Sequence, residues 1–238
     1  MGGPVYSAVG RTWLMTSNER QVAIGRLVEV LRPVADYAAG RGVRLALEPL
    51  NRFETSFVNT VDQALEIVDR LDSPGCGILL DTFHMNIEEK DPAAAIRAEG
   101  GHLAHFHACG TDRGSPGADH LDWVPIARAL ADIDYRGPIC IESFTPENQT
   151  IARAAAIWRP LAPSGDALAT EGLSFLRQLL GSASTWGAGA VGRATGWPRD
   201  GENLGEPAPD RPTTKQRGGE PHLDRATRPI RGSRSRAG

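Results

Sequence analysis

The sequence predicts an α/β chain in which βα units feed a parallel sheet, as in a (β/α)8 barrel that is incomplete. Two observations carry this. From residue 1 to about 181, short aliphatic or β-branched runs alternate with longer segments of helical period. A polar residue able to do chemistry also closes each of the four later apolar runs.

The predicted strands are Pro4 to Val9, Val43 to Glu48, Gly77 to Asp81, Leu103 to His107 and Pro138 to Glu142. Helical patterns lie between them. The first runs from Asn18, read as an N-cap, to a stop at Gly40; the next is Val61 to Leu71; the third is Pro92 to Glu99, with Asp91 capping and Pro92 in the first turn. Asp122 to Ile133 and Gln149 to Trp158 follow. A last helix, Gly165 to Leu180, carries Leu168, Leu173, Leu176 and Leu180 on its expected packing face. A closed barrel needs eight strands and typically ~250 residues, so about five βα units are expected here. Because the first strand begins almost at Met1, about three units are expected to be missing on the N-terminal side. Residues 1–181 form the expected partial barrel. Residues 182–238, rich in Gly, Pro, Arg and Ser, are expected to be a disordered low-complexity tail, since such a segment buries too little apolar surface to offset its ordering entropy.

Composition narrows the function. A formal net charge of -3 and a pI near 6.1 argue against nucleic acid as a partner. No stretch approaches the ~20 apolar residues of a membrane span, and there is no signal-like N-terminus, so a cytoplasmic protein is expected, with a small molecule as partner and room for a homo-oligomer. The three cysteines, Cys76, Cys109 and Cys140, are odd in number and well separated, and are read as reduced core thiols.

Glu48, Asp81, His107 and Glu142 close successive strands, 33, 26 and 35 residues apart. Each interval is about one βα unit, so the four side chains should converge at the C-terminal face of the sheet, where barrels of this kind place their active sites. Three carboxylates and an imidazole make a hard, oxygen-rich set suited to Mn²⁺, Co²⁺ or Mg²⁺. The plain alternative is a row of strand-end polar residues capping helices or pairing with arginines. Asn51, Arg52, Glu54, His84 and Arg113 lie just beyond the strand ends, on expected βα loops; as a set they would suit a polyhydroxylated ligand.

The stretches LALEPLNRFE (Leu45 to Glu54), LLDTFHMNIEE (Leu79 to Glu89), HFHACGTDRG (His105 to Gly114) and CIESF (Cys140 to Phe144) resemble the D-tagatose/D-psicose 3-epimerase family of ketose 3-epimerases, a xylose isomerase-like TIM barrel group. The resemblance spans roughly Gly2 to Leu180. It implies that Glu48, Asp81, His107 and Glu142 bind one divalent metal, manganese first with cobalt or magnesium as alternatives. It implies further that Glu48 and Glu142 act as the acid/base pair while Glu54, His84 and Arg113 contact the sugar. The implied reaction inverts C3 of a free ketose through an enediolate, one glutamate removing the C3 proton and the other returning one from the opposite face. Alternatives are a hydroxypyruvate- or aldose-ketose-type isomerase, a catalytically inactive barrel fragment, and a repair endonuclease of related fold, which the lack of a basic face disfavours.

Overall fold

In a computed structural model the backbone is described for residues 1–186 and side chains to residue 182. The expected tail therefore lies outside the described residues from 187 onward. Five strands form one parallel sheet in sequence order: β1 (Gly2–Gly3), β2 (Leu45–Leu47), β3 (Cys76–Asp81), β4 (Leu103–Ala108) and β5 (Ile139–Ile141). The helices are α1 (Ser17–Ala39), α2 (Val61–Leu71), α3 (Thr82–Glu88), α4 (Pro92–Ala98), α5 (Trp123–Asp132), α6 (Gln149–Ala154) and α7 (Gly165–Trp186). Each strand pairs with the next across an intervening helical segment, which is the connectivity of a half-barrel.

The middle of the sheet is the best buried part. All six residues of β3 are buried, as expected for a parallel strand covered on both faces. Helix α2 covers it with Val61, Ala64, Ile67, Val68 and Leu71, which share one face at three- and four-residue spacing. Helix α5 buries Trp123, Ile126, Ala127 and Leu130 and packs against α4 and α7.

Several boundaries differ from the sequence reading. The first strand is Gly2–Gly3 and not Pro4 to Val9. Pro4 has no N–H for a ladder, and the chain turns at once, with Val5 N–H donating to Gly3 O and Ser7 N–H to Pro4 O. Glycine is favoured at the strand: Gly3 takes a positive φ of 137°, and a Cβ on Gly2 would lie 2.6 Å from Leu79 Cδ1, which would have to shift. Helix α1 is capped by Thr16 and not by Asn18; Thr16 and Glu19 form a reciprocal capping box that outcompetes a side chain lying inside the first turn. Helix α6 stops at Ala154, and Ala156 takes a left-handed φ of 54°, so the expected run to Trp158 is broken. In α7, which continues to Trp186, Leu173 faces outward; the packing stripe is Leu168, Phe175, Leu176 and Leu179. Cys76 and Cys109 are buried, but Cys140 is exposed because β5 is an edge strand.

Candidate metal centre

The C-terminal ends of β2 to β5 bring the four predicted ligands together. Asp81 ends β3, His107 is the penultimate residue of β4, and the register sets these two directly opposite each other. Glu48 and Glu142 are the first residues after β2 and β5, which end one residue earlier than the sequence reading placed them. One ligand atom from each of Glu48, Asp81, His107 and Glu142 lies within 4.8 Å of all the others.

The backbone around them is pinned by hydrogen bonds from residues the sequence reading did not assign to the centre. The buried Tyr6 hydroxyl lies 2.6 Å from Glu48 O and 3.1 Å from Val58 O, tying the end of β2 to the next loop. Thr82 Oγ1 donates to Cys109 O and accepts from Cys109 N–H, clamping the start of α3 to the end of β4. Asp81 serves twice: its Oδ1 accepts Phe83 N–H and caps α3, leaving Oδ2 for the centre. No periodic signal marks so short a helix, so His84, expected on a loop, sits on α3 instead.

Arg113 joins these groups. Its Nη1 donates to Asp81 Oδ2 at 2.8 Å and to Glu142 Oε2 at 2.9 Å, and approaches Cys109 Sγ at 3.8 Å. The guanidinium lies 4.0 Å over the Phe83 ring, and Glu54 Oε1 is 4.0 Å from its Nη2. The residue holds a left-handed φ of 69°, an uncommon conformation for a side-chain-bearing residue. Thus all seven predicted site residues meet at one face: the four candidate ligands, with Glu54, His84 and Arg113 beside them. His102 lies apart, near Asp69, and His105 stacks edge-on against His107.

Crowding three carboxylates moves their proton affinities. Burial, reinforced by the charge of Glu142, raises Glu48 from 4.5 to about 7. Burial also raises Asp81 well above its ordinary value, with Glu142 adding to it and Arg113 opposing. Burial works against ionised Glu142 as well, but His107, Asp81 and Arg113 together hold it below the usual carboxylate range. For His84, burial and then the Arg113 charge lower the pKa to about 3, so the ring is neutral.

The chemistry of the donor set fits a divalent cation. His107 Nδ1 is buried without a hydrogen-bond partner, yet it lies 3.2 Å from Glu142 Oε2, 3.8 Å from Glu48 Oε1 and 3.9 Å from Asp81 Oδ2. A buried polar atom in that position costs stability unless something binds it. Three oxygens and one imidazole nitrogen suit a hard or borderline metal.

The family described as xylose isomerase-like TIM barrel matches residues 1–179. Among named relatives, a probable ketose 3-epimerase of Synechocystis sp. is 47% identical over 153 residues, covering 64% of this chain and 53% of the relative. An L-ribulose 3-epimerase of Methylomonas sp. is 36% identical over 178 residues, covering 74% and 61%. The solved structure of an L-ribulose 3-epimerase superposes with a TM-score of 0.73 at 31% identity, covering 81% of this chain and 65% of that one. A D-psicose 3-epimerase solved with D-tagatose, from Clostridium cellulolyticum, gives a TM-score of 0.68 at 36% identity, covering 75% and 63%. The expected likeness to ketose 3-epimerases is thus borne out, and the chain spans about half to two thirds of the length of these relatives. Its parallel sheet, its strand-end cluster and these matches agree: the chain belongs to the xylose isomerase-like TIM barrel family.

Proposed function

We propose that this chain carries the catalytic half of a metal-dependent sugar epimerase, inverting C3 of a free ketose of the fructose, psicose or tagatose type in the cytoplasm. The observation that carries the reading is the convergence of Glu48, Asp81, His107 and Glu142 within 4.8 Å, in a chain 47% identical to a probable ketose 3-epimerase. These four residues would hold one divalent ion, manganese first, with cobalt or magnesium as alternatives. When bound, it would supply positive charge that makes the C3 proton of the ketose more acidic.

The protein's own groups do the rest. Glu48 follows β2 and Glu142 follows β5, with β3 and β4 between them, so the two carboxyl groups approach the centre from opposite sides. One takes the proton from C3 and the other delivers a proton to C3 from the far face, which inverts the carbon. Arg113, His84 and Glu54 orient the sugar oxygens so that C3 stays between the two glutamates. Burial of Glu48, Asp81 and His84 keeps this face dry enough for the charges to act strongly.

The test is isomer formation from D-fructose and D-tagatose by the purified protein, without metal and with Mn²⁺, Co²⁺ or Mg²⁺, beside a Glu142→Gln control. Metal-dependent C3 epimer formation that disappears in the control supports the reading. A folded protein that gives no isomer with any of the three metals contradicts it and favours an inactive fragment; an aldose product would point to an aldose-ketose isomerase.

A further inference from the structure

Asn51 is buried three residues beyond Glu48 and touches both side chains proposed to grip the sugar on that flank. Its Nδ2 donates to Glu54 Oε1 at 2.9 Å and lies 3.0 Å from His84 Nδ1. Its backbone N–H also points at His84 Nδ1, at 3.0 Å. Its Oδ1 accepts Phe53 N–H, which fixes the orientation of the amide. Every polar atom of the side chain is therefore committed, to Phe53 and Glu54 in the loop that follows β2 and to His84 on α3.

The donors decide where His84 keeps its proton. A backbone N–H can only donate, and so can a carboxamide NH2. Two donors converge on His84 Nδ1, which must accept, so in the neutral ring the hydrogen sits on Nε2. At Nε2 the neighbour is Arg113 Nη2 at 3.0 Å. A guanidinium has no acceptor, so this pair is two donors side by side and not a hydrogen bond. The opposite tautomer would satisfy Arg113 but set Nδ1–H against two donors, a worse arrangement. Glu48 Oε1, the carboxylate oxygen recorded near Nε2, is 3.9 Å away, beyond hydrogen-bonding reach. Two buried N–H groups 3.0 Å apart, one neutral and one cationic, thus form a fork that a single oxygen acceptor would bridge.

We propose that Asn51 is a positioning residue that fixes His84 with its proton on Nε2, so that His84 and Arg113 present paired donors to one oxygen of the bound ketose. The assignment to a ketose rests on the functional reading above; the tautomer does not. In this arrangement His84 is a donor throughout and takes no proton from the substrate. Asn51 also ties Glu54 to the same anchor, so the flank formed by Glu54 and His84 moves as one unit.

The experiment is ¹⁵N NMR of protein labelled at its histidines, with His84 assigned by its loss in His84→Gln. In the wild type at neutral pH, Nδ1 should be unprotonated and Nε2 protonated. Asn51→Asp, which faces Nδ1 with an acceptor, should move the proton onto Nδ1. Asn51→Ala keeps the backbone donor and should keep the wild-type tautomer, while raising KM for the ketose on the order of 10-fold, with the smaller change in kcat. A protonated Nδ1 in the wild type overturns the proposal, as does an Asn51→Asp spectrum identical to the wild type. Should Asn51→Asp fail to fold, the wild-type spectrum and the KM shift of Asn51→Ala decide. A wild type with Nε2–H on His84 but no isomerase activity leaves the positioning role standing and removes the functional reading alone.

Discussion

The middle of the sheet and its β5 edge hold the same chemistry on different supports. In β3 every residue is buried, and Asp81 at its end has a fully buried side chain, held from one side by the cap of α3 and from the other by Arg113. In β5 the residues are half-buried or exposed, and Glu142 just beyond it has a side chain 30% exposed that leans on Arg113 Nη1. The interior ligand is built into the core, whereas the edge ligand is placed by a guanidinium reaching back from the loop after β4. Order at the β5 side of the centre therefore depends on Arg113 more than on packing.

The largest break in this comparison is Arg113→Ala. Removing the guanidinium takes the counter-charge from ionised Glu142 and the buried donor from Asp81, and breaking a buried pair in that way costs up to about 3–5 kcal/mol. Denaturant unfolding of the metal-free protein would read it, and a loss under about 1 kcal/mol would mean that Asp81 is held by its other contacts. Next comes a matched pair in the two strands. Ile78→Ala in β3 deletes a fully buried side chain and should cost about 2–5 kcal/mol, whereas Ile139→Ala at the half-buried edge should cost about 1 kcal/mol. Equal losses would show that β5 is as well packed in solution as β3.

A smaller effect follows from pH. Glu48 is raised from 4.5 to about 7, so the folded metal-free protein holds that proton more tightly than the unfolded chain. Its stabilising contribution is complete below about pH 4.5 and is lost as pH rises through about 7. His84 acts in the opposite sense: its lowered pKa makes stability rise with pH up to about 6.5, where the unfolded histidine has given up its proton. Between pH 6.5 and 8 the raised carboxyl of Glu48 acts in the same sense as that of Asp81, so the unfolding midpoint should fall over that interval and fall less in Glu48→Gln. A midpoint that rises there contradicts the burial of Glu48.

The same contrast explains what could be read from the sequence. The βα rhythm, helix α2 and the four candidate ligands were legible because each rests on a local pattern: apolar periodicity for Val61–Leu71, and one chemical residue per unit for Glu48, Asp81, His107 and Glu142. Strand β1 was not legible, because a Gly-Gly pair has no strand propensity and its second residue takes a positive φ that favours glycine. Helix α3 was hidden because seven residues show no period, and its start is fixed by Asp81, a residue with another evident role. The reach of Arg113 to groups 29 to 32 residues away, and the two-sided grip of Asn51, arise from tertiary placement that a linear pattern does not encode. The exposure of Cys140 follows from the edge position of β5, which the apolar run around it conceals.

The most direct test of the account is a calorimetric titration of the metal-free protein with Mn²⁺, repeated with His107→Ala. One ion per chain, with affinity more than about 10-fold weaker in the variant, is the result expected of a four-ligand centre that includes the buried, unpartnered His107 Nδ1. No binding by the folded wild type, or binding that is indifferent to His107→Ala, would contradict it.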